Sequence, residues 1–133
     1  MSDGTSIAAA TAAMSTPPRD LTERSLQFSR DLLQFIEREQ GRRVFPPRLL
    51  DQLMRAGTSI GAQNAEADSA ISRKHLLSLR ARALQEATET QYWLKVLASP
   101  DRPDSAESIR TLTGQASELV AILTACVKRL RGQ

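Results

Sequence analysis

Cysteine, histidine and aromatic residues are all scarce in this chain. A single thiol, Cys126, rules out an internal disulfide and leaves a reducing compartment open. A single histidine, His75, has no Glu three positions before it, so the Glu-x-x-His units of a four-helix di-iron site cannot be built. Glu86-x-x-Glu89 ends in the wrong residue for that motif. No metal and no cofactor is expected on this ligand set. Neither a cysteine–histidine or serine–histidine motif context nor a Walker or dinucleotide fingerprint is present, so no catalytic residue is assigned. No apolar run approaches the about 18 residues of a membrane span. Residues 1–19 are rich in Ala, Ser and Thr with no basic lead; they read as a disordered tail rather than a secretory signal. Aromatic content of 4% leaves a core to be built from Leu, Ala and Ile on helices.

What is present is helical periodicity with clear punctuation. Asp20-Leu21-Thr22-Glu23 follows two prolines and fits a helix start. A first helix is expected at about 21–40, with Leu21, Phe28, Leu32 and Phe35 inward, Leu33 and Ile36 widening that face, and Gly41 as its stop. Pro46-Pro47 opens a second helix, about 47–70, because proline is tolerated in a first turn. Its seam is Leu50, Leu53, Gly57, Ile60, Asn64, Ala67 and Ile71. Ser72 caps a third helix, about 73–98, and Ser99-Pro100-Asp101-Arg102-Pro103 turns into a fourth, about 105–131. No stretch alternates at the period of a strand. The expectation is all-α: one domain over 20–133, an antiparallel up-down-up-down four-helix bundle.

The second helix is unusual because small residues cover most of its circumference. Ser59, Ala62, Ser69 and Ala70 lie away from the seam, with Glu66 among them, where a lone surface helix would carry long solvated side chains. Such a helix expects neighbours on more than one side, which points to an assembly subunit. Gly57-x-x-x-Gly61 exposes backbone for close helix approach, either within a subunit or between subunits. Asn64 has two readings: a buried amide that fixes register, or a point of seam drift where the amide reaches water or a carbonyl. Arg82, Glu86, Glu89 and Trp93 share a flank of the third helix, and Tyr92 and Val96 extend its apolar surface. An ion-paired interface there competes with an ordinary solvated face.

Charge is mildly positive, +3, but the cations are 15 Arg against 3 Lys, and guanidinium forks suit phosphates. They gather at Arg42-Arg43, at Arg73-Lys74 with Arg80 and Arg82, and at Lys128-Arg129-Arg131. Multiplied over the copies of an assembly, these patches would attract nucleic acid in a salt-dependent way. The plainer alternative is that they solubilise helix ends, pair internally and complement helix dipoles.

Two blocks together, Gly57-Thr58-Ser59-Ile60-Gly61-Ala62 with Glu66-Ala67, and Glu86-Ala87-x-Glu89-Thr90-x-Tyr92-Trp93-Leu94, resemble the bacterial four-helix-bundle family associated with intervening sequences in 23S ribosomal RNA genes. That family is similar to the accessory variability determinant proteins of diversity-generating retroelements. The resemblance spans roughly 21–131. It implies a small helical subunit, with no established enzymatic activity, that assembles into a ring, usually a homopentamer. For the retroelement branch it also implies a basic ring that binds a reverse transcriptase and nucleic acid. Gln63 and Asn64 depart from the pattern, which would have Asn and then an apolar residue; Arg80 and Arg82 stand where apolar side chains are expected.

The resulting expectation is a cytoplasmic, non-enzymatic scaffold or adaptor. Its partners would be further copies of itself and RNA, DNA or a nucleic-acid enzyme, with no membrane. Its interface would draw on Gly57, Ser59, Gly61, Ala62, Glu66, Glu86, Glu89, Tyr92 and Trp93. The competing class is a small-molecule or metal-binding bundle with a site between subunits.

Overall fold

The structure, a computed structural model, describes residues 18–132. The expected N-terminal tail lies outside the described residues apart from its last two positions. Four helices follow in order: α1 Pro18–Arg42, α2 Pro47–Ala67, α3 Arg73–Leu97 and α4 Pro103–Leu130, with no strand among the described residues. Consecutive helices pack side by side and α1 closes against α4, so the four form a bundle around one core. Residues that meet across each pair run in opposite numerical order. Arg24 reaches Glu118 while Arg42 reaches Asp104, and Thr22 reaches Asp68 while the Gly57 backbone lies against Leu32.

Apolar residues from all four helices form the core. Leu21, Phe28, Leu32 and Phe35 of α1, Leu50, Leu53 and Ile60 of α2, Leu79, Ala83, Ala87 and Leu94 of α3, and Ile109, Leu112, Ala116, Leu119 and Leu123 of α4 are all buried. Two expectations at the edges fail. Leu33 does not widen the inward face of α1; it is 42% exposed, while Ile36 is buried. Ile71 leaves the α2 seam because the helix ends at Ala67, and it stands 89% exposed in the turn.

Helix ends follow local chemistry with one reversal. Pro46 and Pro47 start α2 as expected. Ser72 caps α3, its hydroxyl accepting from the His75 amide at 3.0 Å. His75 itself is exposed, and its Nδ1 accepts from the Ile71 amide. Gly41, however, does not end α1. The helix continues to Arg42, and the chain turns at Arg43, which adopts φ 57° and whose amide donates to the Glu39 carbonyl at 3.0 Å. That left-handed position normally favours glycine. The extra turn is held by side chains: Glu39 is fully buried between Arg38, Arg42 and Ser105, and Arg42 also reaches Asp104. Ordering Arg42 against α4 keeps α1 helical past its glycine.

Candidate interaction surfaces

The glycine ridge of α2 faces its own subunit. A Cβ on Gly57 would lie 2.2 Å from Leu32 Cδ2 and 3.3 Å from Phe28 Cε2, so α1 occupies the space that a side chain would need. At Gly61 the corresponding distance to Ser25 Cβ is 3.4 Å, an ordinary contact. Close approach is therefore realised between α1 and α2, and only Gly57 requires the absence of a side chain. The opposite face of α2 is different. Ala62 and Glu66 are exposed and Ser59 is half-buried, its hydroxyl donating to the Arg55 carbonyl at 2.7 Å.

Below that ridge lies a polar network that periodicity alone could not resolve. Asn64 is fully buried: its amide donates to Ser25 Oγ at 2.9 Å, and its Oδ1 accepts from Arg80 Nη1 at 2.9 Å. Ser25 donates in turn to the Leu21 carbonyl at 2.7 Å. Of the two sequence readings, the buried amide is the one realised. Arg80 is 2% exposed and lies 3.6 Å from Asp68 Oδ1, so the residue expected on the basic surface is instead inside the bundle. Two of the four departures from the expected pattern, Asn64 and Arg80, are thus partners of each other. Their shared spacing across two helices is invisible to a one-helix reading.

On the α2–α3 surface the expected acidic flank is present, but its cation comes from elsewhere. Arg55 of α2, absent from the sequence-based set, pairs with Glu86 at 3.4 Å and with Glu89. Trp93 Nε1 donates to Glu89 Oε2 at 2.9 Å, and the Tyr92 and Trp93 rings meet edge-on with centroids 5.3 Å apart. Arg82 is exposed. Tyr92 is 60% exposed and Val96 40%, so apolar surface continues outward from this ion-paired cluster.

The basic residues separate into two ends and an interior. Arg73 Nη2 donates to the carbonyls of Arg129 and Leu130, both at 3.1 Å, which brings the start of α3 beside the end of α4. Arg73, Lys74, Lys128, Arg129 and Arg131 therefore collect at one end of the bundle. All five are exposed. Arg42 and Arg43 lie at the other end. Arg42 is occupied by Glu39 and Asp104, whereas Arg43 is exposed beside Arg102, whose guanidinium stacks 4.9 Å above the Phe45 ring. Complementing helix ends and pairing internally thus account for part of the Arg excess, at Arg42, Arg73 and Arg80. Among the described residues no cluster of three His, Cys, Asp or Glu could hold a metal, and no helix is long and apolar enough to cross a membrane.

Comparison with known proteins agrees with this architecture. A crystal structure of a protein of unknown function from the S23 ribosomal protein family of Bacteroides thetaiotaomicron VPI-5482 superposes with a TM-score of 0.69 at 27% identity. The alignment covers 81% of this chain and 98% of that one. No curated protein matches the chain significantly. The profile of the 23S rRNA-intervening sequence protein family matches residues 20–125, which takes in both glycine- and glutamate-bearing blocks and nearly all of the bundle. The chain belongs to the 23S rRNA-intervening sequence protein family.

Proposed function

We propose that this chain is a non-catalytic, cytoplasmic subunit of a homo-oligomeric ring, a homopentamer by family resemblance, that serves as a scaffold for nucleic acid or a nucleic-acid enzyme. The bundle in this reading is antiparallel, up-down-up-down, supported by the opposed numbering of every cross-helix contact and by the short turns. One observation carries the assembly: apolar side chains are left outside on two different helices. Leu26 and Leu33 of α1 are 49% and 42% exposed, and Tyr92 and Val96 of α3 form a second patch. Helices α1 and α3 stand diagonally in the bundle, because each packs mainly on α2 and α4. Two unlike patches on opposite corners suit a head-to-tail contact, which closes into a ring rather than a two-fold dimer. The exposed small residues of α2, Ala62 and its neighbours, would let a second subunit approach closely beside the Tyr92 patch.

The basic end of each subunit, with Arg73, Lys74, Lys128, Arg129 and Arg131, would repeat around such a ring and form a band suited to phosphates. The test of assembly is solution mass by light scattering. Multiples of the 14.6 kDa chain are expected, and Leu33→Glu or Tyr92→Glu should each lower the mass while leaving helical content intact. A monomer of wild-type chain at micromolar concentration would defeat the ring.

A further inference from the structure

At the turn between α2 and α3 the surface opens into a hollow of about 480 Å³, lined among others by Asp68, Ser72, Arg73, Leu76, Arg80 and Leu130. Three features converge there. The hollow holds the amino end of a 25-residue helix, α3, whose backbone dipoles favour negative charge, beside the carboxyl ends of α2 and α4, which oppose it. It is lined by two guanidinium groups against one carboxylate. Most tellingly, Arg80 Nη2 is buried and makes no hydrogen bond. Nη1 of the same side chain is satisfied by Asn64, but Asp68 Oδ1, at 3.6 Å from Nη2, is too far to accept from it.

A buried donor without an acceptor is costly, and a charged one more so. The fold could relieve it by drawing Asp68 a few tenths of an ångström closer. Instead, the other oxygen of the Asp68 carboxylate accepts from the exposed Thr22 Oγ1 at 2.8 Å. The carboxylate is held as a neighbour of Arg80 rather than as its hydrogen-bond partner. Its side chain is 36% exposed, so it forms the outer wall between Nη2 and the hollow.

We propose that this hollow is a binding site for an oxyanion of the phosphate type, which takes the free Nη2 of Arg80 by displacing the Asp68 carboxylate. Arg73 and the first turn of α3 complete the anion's surroundings, and Leu76 and Leu130 supply part of the apolar lining. Arg73 is already anchored on the carbonyls of Arg129 and Leu130, so its charge is fixed in place before any ligand arrives. The site lies within one subunit and depends neither on ring assembly nor on nucleic-acid binding.

The experiment is calorimetric titration of inorganic phosphate into the full chain, against sodium chloride of equal ionic strength, with amide NMR to locate the response. Saturable binding with shifts concentrated at 68–80 is expected. Asp68→Asn removes the competing carboxylate and should tighten phosphate about fivefold or more, since two like charges a few ångströms apart no longer oppose each other. Arg73→Gln should weaken it about threefold, as expected for a partly screened charge. Arg80→Gln should abolish it. Should that variant fail to fold, Asp68→Asn still decides, because a purely structural ion pair predicts lost stability with no gain in phosphate affinity. A short single-stranded RNA separates the two phosphate sources: competition for the same amides identifies a backbone phosphodiester, and no competition identifies free phosphate. A linear, unsaturable response, shifts equally strong at Arg42 and Arg43, or unchanged affinity in Asp68→Asn would each overturn the site.

Discussion

Gly57 and Gly61 look equivalent in the sequence and are not equivalent in the fold. Replacing Gly57 by Ala gains about 1 kcal/mol of helix propensity. It must also force Leu32 and Phe28 aside, a steric demand of about 1–3 kcal/mol in a packed core. Urea denaturation should therefore show Gly57→Ala destabilised and Gly61→Ala neutral or stabilised by up to about 1 kcal/mol, because the new methyl group only touches Ser25. Gly114, with nothing near its Cβ position, should behave like Gly61. Asn64 is the second decisive residue. Asn64→Leu removes the side-chain acceptor of a buried guanidinium and the amide donor to Ser25 Oγ, so a loss of about 3 kcal/mol or more is expected in the same assay. Neither outcome follows from residue type alone: the seam position of Gly57 and Asn64 is legible, but which side chain of another helix lies opposite is not.

At the scale of elements, α1 and α2 show where punctuation is outvoted. The sequence places a stop at Gly41, but the helix runs through it because Glu39 and Arg42 tie the last turn to Ser105 and Asp104 of α4. Only then does the chain reverse, at Arg43. Arg43→Gly should stabilise the protein by about 1 kcal/mol in thermal or urea unfolding, since glycine adopts φ 57° without a Cβ clash. On the α2–α3 surface, Arg55 and Glu89 should show a coupling of about 0.2–1 kcal/mol in a double-mutant cycle, the range of half-exposed ion pairs. The expected acidic flank was readable from the i,i+3 spacing of Glu86 and Glu89. Its cation was not, because Arg55 precedes it by about thirty positions and meets it only when α2 and α3 pack.

At the scale of the whole molecule, the question is which surfaces remain after the bundle has closed. The interior absorbs Arg80 and internal pairing occupies Arg42, while exposed Arg73, Lys74, Lys128, Arg129 and Arg131 stay together at the end formed by the start of α3 and the end of α4. Charge reversal at Arg73 and Lys74 should reduce binding to RNA or duplex DNA and flatten its salt dependence, measured by mobility shift across a salt series. Arg42→Glu should have a smaller effect on binding and a larger one on stability, since it sets a carboxylate against the buried Glu39. The Leu26–Leu33 and Tyr92–Val96 patches lie on diagonal helices, and losing either should lower the solution mass.

Periodicity by itself determined the number of helices, their turns and nearly every core position, because burying an apolar stripe is a property of one helix and is written in its spacing. The same spacing marked the small-residue face of α2 and the Glu86–Trp93 flank. Tertiary structure alone decided that the glycine ridge packs inward on α1, that Asn64 and Arg80 satisfy each other, and that one arm of Arg80 is left without an acceptor. Those outcomes depend on the angle and register between helices, which set atom-to-atom distances to tenths of an ångström. A repeat of three and four residues carries no such information.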